Sequence, residues 1–397
     1  MPRLQIREPR ERALVAAVDR LLAIGAALAS PFRRAVAPAA PRRILLLRLE
    51  RIGDLLMTLP AIADVRASAP DATIDLVVGE WNASLATAIA DVNRVETLNA
   101  KWLAREGAGK TLGQLIAHAR TWRARRYDLA INFEPDIRSN TLLAASGAEW
   151  KAGYDSGGGG ALLDRALEYD PGRHTIENAR RLVSSVFGGR SREGSSPRLT
   201  IPAPAQTEAA RLLRPLTGGP VVAVHVGAGR AVKQWPETRF REVAARLVAS
   251  RGVSIVFTGA VEDRAQIDQA RAGLPADRVL DLSGRADLMT LAALFQRVAL
   301  LLTVDTGPMH LAHALGTPIV AIFGPSDPVR YAPRGPLDRI VRIDLPCAPC
   351  NRIRRPPERC IGHTPDCLAG IDAERVLAAV DEVLALRAAS RATGSFG

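Results

Sequence analysis

Residues 304–328 read Val-Asp-Thr-Gly-Pro-Met-His-Leu-Ala-His-Ala-Leu-Gly-Thr-Pro-Ile-Val-Ala-Ile-Phe-Gly-Pro-Ser-Asp-Pro. An apolar strand, Ala299 to Val304, stops at Asp305-Thr306-Gly307, and a helix opens at once. A second apolar strand, Ile319 to Phe323, ends at Gly324-Pro325. A strand that enters a helix N-terminus through Thr-Gly turns backbone N–H groups and a hydroxyl outward. The helix dipole adds partial positive charge there, so the place suits a phosphate. His310 stands one turn inside the helix and can face the same crevice. The plain alternative is an ordinary capped βαβ unit, since Asp and Thr are common caps.

Two segments upstream repeat the theme. Residues 44–60 predict a buried strand (Ile44 to Leu49), a loop at Glu50-Arg51-Ile52-Gly53, and a helix from Asp54 or just after it. Gly53 permits a tight turn. Asp54 falls at the carboxyl edge of the sheet, where open α/β folds place ligands, or serves as a plain N-cap. Residues 221–236 predict a strand, the glycine loop Gly227-Ala228-Gly229, then Lys233 and Trp235-Pro236. The loop lacks dinucleotide or Walker spacing. Bare backbone with one lysine still suits an anionic ligand. Lys233 is one of four lysines in a chain with 53 basic residues; taken alone it reads equally as a solvated surface lysine.

Cys347, Cys350, Cys360 and Cys367 gather near the end of the chain, with His363 among them. Cys-x-x-Cys with two further thiols nearby has the character of a metal-ligand set. Structural zinc is the expectation. An iron–sulfur or redox role and free thiols remain open. Without an export signal, stable disulfides are disfavoured.

The elements that must position these residues alternate. Strands are predicted at Ile44–Leu49, Thr73–Val78, Arg94–Thr97 and Leu129–Phe133. Helices are predicted after Asp54 to Ser68, at Asn82–Ala90, Leu112–Arg125 and His174–Phe187. Gly157 to Gly160 reads as a mobile loop, and Pro197 to Pro204 as an interdomain linker. The pattern restarts with strands at Val221–Val226, Ser254–Thr258, Val279–Leu282, Leu300–Val304, Ile319–Phe323 and Ile340–Ile343. A helix is predicted at Phe240–Ser250, and the chain closes on one at Asp372–Ala388. This order argues for doubly wound parallel sheets.

A chain of 397 residues is too long for one ordinary core. Its formal net charge of +12 asks for an acidic partner, although arginine-rich composition explains part of it. Only 4% of residues are aromatic, too few for single-strand stacking platforms, and no nucleic-acid recognition motif appears. Residues 1–43 carry nine arginines against three acids. The apolar stretch Arg12–Ser30 holds Asp19 and Arg20 near its middle. It is too short and too interrupted to span a bilayer, and no signal-peptide cleavage pattern follows it. It is expected to lie in an anionic membrane interface with Arg33 and Arg34 on the headgroups, or to pack on the body as an added helix.

In this order, Arg51-Ile-Gly-Asp-Leu-Leu-Met-Thr-Leu-Pro60, Lys233-Gln-Trp-Pro236, Asp305-Thr-Gly-Pro-Met-His-Leu-Ala312 and Phe323-Gly-Pro-Ser-Asp-Pro328 resemble glycosyltransferase family 9, the heptosyltransferases of lipopolysaccharide core assembly. The resemblance covers roughly residues 42 to 385. It implies a GT-B architecture: two Rossmann-like domains, each a doubly wound parallel sheet, facing a cleft. The expected boundaries are a basic helix and linker at 1–41, an acceptor-side domain at 42–200, a nucleotide-sugar domain at 201–370, and a terminal helix and tail at 371–397. It also implies inverting, metal-independent transfer of a heptose or similar sugar, ADP-heptose being the expected donor, to a lipopolysaccharide-core or related glycolipid acceptor. The place of work would be cytoplasmic, on the inner-membrane surface.

On the matching positions, Asp54 would be the base. Gly227, Gly229, Lys233, Asp305, Thr306, Gly307 and His310 would hold the donor, with Asp263 or its neighbour Glu262 on the ribose. Acceptor contacts are expected from Arg51, Arg138, Lys151 and the glycine run at 157–160. No cofactor is expected for catalysis. The loop before Lys233, Ala228-Gly229-Arg230-Ala231, lacks the hydroxyl residue that some family members carry, which leaves the donor sugar and base less defined than the fold. Two other classes compete. One is a nucleotide-sugar hydrolase or epimerase using His225 or His174. The other is a non-catalytic nucleotide-sugar-binding protein.

Overall fold

Ile44–Leu47 and Val222–Val224 are completely buried, as strands are when helices cover both faces of a parallel sheet. The computed structural model describes residues 4–6, 8–29, 36–104, 108–188, 197–216 and 219–393. Arg33 and Arg34 lie outside these. The chain divides into two compact units, Met1–Thr200 and Ile201–Gly397.

The first unit runs α1 (Pro9–Ala29), β1 (Arg43–Arg48), α2 (Ile52–Ser68), β2 (Thr73–Gly79), α3 (Ala83–Thr87), β3 (Arg94–Leu98), α4 (Leu112–Thr121), β4 (Leu129–Asn132), α5 (Ile137–Ala145), β5 (Trp150–Tyr154), β6 (Arg165–Leu167) and α6 (Thr175–Phe187). Every pairing is parallel, in the order β3-β2-β1-β4-β5-β6. The order reverses between β1 and β4. Such a switch point opens a crevice at the carboxyl ends of the two strands. α2 places Leu55, Leu56, Leu59, Ile62 and Val65 in the interior, each burial contributing about 1.5–3 kcal/mol.

The second unit runs α7 (Ala203–Leu213), β7 (Val221–His225), α8 (Glu237–Arg251), β8 (Ser254–Thr258), α9 (Arg264–Arg271), β9 (Val279–Asp281), α10 (Leu288–Phe295), β10 (Leu300–Val304), α11 (Gly307–Ala314), β11 (Ile319–Ile322), α12 (Pro328–Tyr331), β12 (Arg339–Val341), α13 (Asp366–Ala369) and α14 (Ala373–Thr393). Its sheet, β12-β11-β10-β7-β8-β9, is also all parallel and has its switch point between β7 and β10. The terminal helix is part of this core rather than an appendage: Val376, Val380 and Val383 of α14 are completely buried in it.

Several local expectations change. The segment expected as one helix at Asn82–Ala90 is a 3₁₀ turn (Glu80–Asn82) followed by the short α3. The expected linker Pro197–Pro204 is partly structured. Leu199 bridges Ile89, and α7 starts at Ala203. The glycine run is packed, not loose. A Cβ at Gly157 would collide with the Pro135 carbonyl, and Gly158 and Gly159 adopt φ of +90° and +78°, a region glycine enters without steric cost. α1 closes over that run. Gly159 N–H donates to Asp19 at 2.5 Å, and Val15 is buried against Gly158.

Candidate active site

Asp54 lies in the third position of α2 rather than at its cap. Arg51 is the cap residue, and its backbone N–H donates to Asp54 Oδ2 at 3.2 Å. The helix therefore begins before Asp54, and the carboxylate sits over its positive end, where an anion is stabilised. Below it lies Arg48, 4% exposed, the last residue of β1. Arg48 Nη2 approaches Asp54 Oδ1 at 3.5 Å, and Nη1 meets Glu50 Oε2 at 3.1 Å and donates to the Phe133 carbonyl at 2.5 Å. Burial works against the charged guanidinium. Glu50, Asp54 and Glu134 more than offset that and hold its pKa above the ordinary arginine value.

Glu134, just past β4, is buried and accepts the backbone N–H groups of Leu49 and Glu50, the latter at 2.8 Å. Burial, and then the charge of Glu50, push its carboxyl up to about 8. Neither Arg48 nor Glu134 was singled out from sequence. Each left a signal: a charged residue at the end of an otherwise apolar strand.

Two of the three residues expected on the acceptor side share this carboxyl edge. Arg51 lies 4.6 Å over the Trp81 ring and donates to the Leu103 carbonyl. Arg138, the second residue of α5, forks onto Asp136 at 2.9 and 2.5 Å and lies 5.2 Å over Trp102. Lys151 does not join them. It pairs in register with Ala130, which pairs with Leu45, near the amino ends of the strands. That is three residue steps from Arg48, about 10 Å along the strand direction. Lys151 Nζ is held there by Asp164 at 3.1 Å and the Ala148 carbonyl at 3.0 Å. The packed glycine run likewise offers no mobile loop.

In the second unit the switch point gathers most of the expected donor residues. Gly227 and Gly229 follow β7, and Lys233 ends a 3₁₀ turn (Ala231–Lys233). Asp305, Thr306, Gly307 and His310 follow β10. Lys233 Nζ meets Asp305 Oδ2 at 2.7 Å, and His310 Nε2 stands 4.0 Å from Asp305 Oδ1. Burial opposes ionisation of Asp305, but Lys233, His310 and a hydrogen bond from Ser326 outweigh it and keep the carboxyl below its usual range. Asp305 thus holds Lys233 and faces His310. Ser326 lay inside a recognised motif without an assigned role. Thr306 caps α11 in an extended conformation, and Pro308 in the first turn has no N–H to lose. Trp235 is a brace: fully buried, it donates to the Ile371 carbonyl at 3.1 Å and meets Phe240 edge-on at 4.8 Å.

Asp263, expected on the ribose, stands in the turn after β8. Its carboxylate accepts the Ala260 N–H at 2.8 Å and packs where a Cβ on Gly227 would lie. It therefore shapes the loop, and Glu262 beside it is exposed. The two histidines of the competing enzyme reading are also engaged. His174 Nδ1 accepts the Ile176 N–H at 3.1 Å and caps α6. His225 Nδ1 lies 3.1 Å from Thr258 Oγ1, and burial pulls its pKa down to about 4.

The four cysteines form no disulfide. Among the described residues, no group of three or more His, Cys, Asp or Glu stands close enough to hold a metal ion. The expected zinc cage is therefore not assembled. The thiols are still neighbours: burial first, then Cys350, Cys347 and Cys360, push Cys367 up to about 11.

Two doubly wound sheets, one carrying a carboxylate at its switch point and the other a lysine–aspartate–histidine cluster at a helix N-terminus, define a GT-B protein. The profile of glycosyltransferase family 9 (heptosyltransferase) matches residues 115–360, and the chain belongs to that family; the protein is a glycosyltransferase. It is 28% identical over 326 residues to lipopolysaccharide heptosyltransferase 1 of Pseudomonas aeruginosa PAO1, covering 78% of this chain and 86% of that one. Its fold is similar to that of the family 9 glycosyltransferase of Veillonella parvula (TM-score 0.74, 23% identity, 88% of this chain and 99% of that one). It is also similar to that of the Escherichia coli ADP-heptose lipopolysaccharide heptosyltransferase II (TM-score 0.70, 21% identity, 87% and 99%).

Proposed function

We propose that the protein transfers a heptose from ADP-heptose to a lipopolysaccharide-core or related glycolipid acceptor, with inversion and without a catalytic metal. The observation that carries this is the Lys233–Asp305–His310 cluster at the start of α11, in a family 9 chain. The heptosyltransferases it resembles supply the sugar and the acceptor class. Asp54 takes the proton of the acceptor hydroxyl. The resulting oxygen attacks the anomeric carbon from the face opposite the leaving group, and the bond to the diphosphate breaks. Lys233, His310 and the amides of Thr306 and Gly307 stabilise the negative charge that develops on the diphosphate. ADP-, GDP- and UDP-sugars are titrated into the purified protein while its thermal midpoint is followed. ADP-heptose alone should raise it by mass action. Transfer to a lipid acceptor should then follow by mass spectrometry. Equal stabilisation by all three bases, or consumption of donor without acceptor, sinks the proposal.

The acceptor reading extends to a membrane. Among the described residues no helix is long and apolar enough to cross one. α1 instead has two faces. Val15 and Asp19 seat it on the first unit, while Leu14, Val18, Leu21 and Ile24 form an outward ridge, Leu14 and Leu21 being 67% and 70% exposed. Arg10 and Arg20 are also exposed on this helix. We read it as a helix that lies in an anionic bilayer interface, which would put the protein at the cytoplasmic face of the inner membrane.

The cysteine loop is proposed to take a structural zinc ion only if it closes around the ion, since the thiols are neighbours but not a cage. Elemental analysis of protein purified without chelator should find up to one equivalent. Absence of zinc and iron, with four freely reacting thiols, would remove the site.

A further inference from the structure

Around the Asp54 carboxylate lies a group of ionisable side chains drawn from both strands of the first switch point, Arg48 and Glu134 buried, Glu50 and Asp54 partly exposed. Arg48 comes from the end of β1, Glu50 and Asp54 from the β1–α2 loop and helix, and Glu134 from the end of β4. Tyr169 and Asp136 also act on this group electrostatically, and Arg51 closes it from above through its backbone N–H. The contacts fall into two sets. Glu134 accepts two successive backbone N–H groups, Leu49 and Glu50, across the switch point. Glu134 is itself braced by Asn132, whose Oδ1 accepts the Glu134 N–H at 3.1 Å and whose Nδ2 donates to the Glu134 carbonyl at 3.0 Å. Arg48 spans outward from the strand. It donates through Nε to the Asp54 backbone carbonyl at 3.4 Å, and it faces the Asp54 carboxylate through Nη2 at 3.5 Å.

A buried guanidinium is tolerated only when its donors are paired, and a fork with several fixed acceptors is held in one orientation. The strand end, the loop and the first turn of α2 are thus tied to one rigid group. We propose that Arg48 and Glu134 are positioning residues for Asp54: Glu134 fixes the path of the loop through its amides, and Arg48 fixes the carboxylate on the helix that follows. The proposal rests on the reading of Asp54 as the base. Neither residue needs to touch substrate. Their effect comes through the placement of Asp54, where an error of about 1 Å costs on the order of 10²-fold in rate.

The test is a set of steady-state measurements on the full chain with ADP-heptose and a soluble acceptor, with ADP affinity measured by calorimetry. Arg48→Met should lower kcat by about 10- to 100-fold, with donor KM and ADP affinity within about threefold of wild type. Arg48→Lys keeps the charge but not the fork, and should recover part of the loss. Glu134→Ala should behave like Arg48→Met. Glu134→Gln retains an acceptor oxygen for the two amides and should stay within about threefold of wild type, against the larger loss expected of a truncation. In an Asp54→Asn background, Arg48→Met should add little, because residues that act through one another are not additive. Wild-type kcat in Arg48→Met, or an independent multiplicative loss in the double variant, overturns the proposal. Arg48→Lys at wild-type kcat would do the same, and it stands in for Arg48→Met if that variant does not fold. Near-wild-type turnover in Asp54→Asn alone marks failure of the base reading instead, and it is read from that single variant.

Discussion

Lys233 and Asp305 meet at 2.7 Å although 72 residues separate them in the chain. They belong to the loops after β7 and β10, the neighbouring strands at which the order of the second sheet reverses. Parallel strands align their carboxyl ends, so two distant loops open onto one place. His310, in the first turns of α11, faces the same carboxylate at 4.0 Å, and under the proposed function Lys233, His310 and the N–H groups at the start of α11 receive the donor diphosphate.

Lys233→Ala should weaken ADP binding at least tenfold. A charge-assisted hydrogen bond contributes roughly 1.5–3 kcal/mol, and the substitution also removes the cation that faces the Asp305 carboxylate, leaving it to His310 and Ser326. Calorimetry with ADP that gives equal affinities for the two proteins would remove Lys233 from the site.

Trp235→Ala should destabilise the second unit by about 3–5 kcal/mol, the usual cost of emptying a buried aromatic site. It should also weaken ADP binding, because Trp235 anchors the loop that carries Lys233 to the start of α14 through the Ile371 carbonyl. Denaturant unfolding measures the first effect and calorimetry of the folded protein the second. Loss of stability with unchanged ADP affinity would confine Trp235 to the core.

His225 and Glu134 should act on stability in opposite senses between about pH 4.5 and 6.5, and Glu134 alone should lower it between about pH 6.5 and 8. His225 is held neutral with its pKa drawn down to about 4 from 6.5. Between these values the unfolded chain binds more protons than the folded one, so acidification through this window destabilises the second unit. Glu134 acts oppositely. Its carboxyl is raised from 4.5 to about 8, so the folded state binds the extra proton, and stability is lost as pH rises through that window. Thermal midpoints at pH 4.5, 6.5 and 8.5 test both. Glu134→Gln should remove the fall between pH 6.5 and 8.5 and uncover the loss on acidification that His225 causes between pH 6.5 and 4.5. An unchanged alkaline side would show that Glu134 is already ionised in the folded protein.

Replacing Leu14, Leu21 and Ile24 together by serine should abolish salt-sensitive binding to anionic vesicles while leaving the thermal midpoint within a few degrees. The three side chains are exposed, and the helix is seated by Val15 and Asp19 on its other face. Sedimentation with vesicles of mixed neutral and acidic lipid reads this directly. Undiminished binding would place the contact elsewhere. Deletion of residues 1–40 is the poorer experiment, because it would also uncover the Gly157–Gly160 run that α1 covers.

The sequence by itself determined the alternating elements, the restart of the pattern in the second half, and the three loops that matter. Those features are local. Ile44–Leu49 is a buried strand because it is a continuous apolar run, and Asp305-Thr306-Gly307 opens a helix because of what stands on either side of it. Motif order then identified the family. The tertiary structure alone decided which side chains share an edge. Arg138 and Lys151 are 13 residues apart, yet the strand register sends one to the carboxyl edge and the other to the amino edge, where Asp164 claims it. It also joined Glu134 to the amides of Leu49 and Glu50 across 85 and 84 residues, turned Asp263 inward to its own turn, and left the four cysteines close but not converging on one point. The physical reason is the same throughout. Spacing along a chain sets neighbours within one helix or strand, whereas neighbours across a parallel sheet are set by crossover connections and register, which local pattern does not encode.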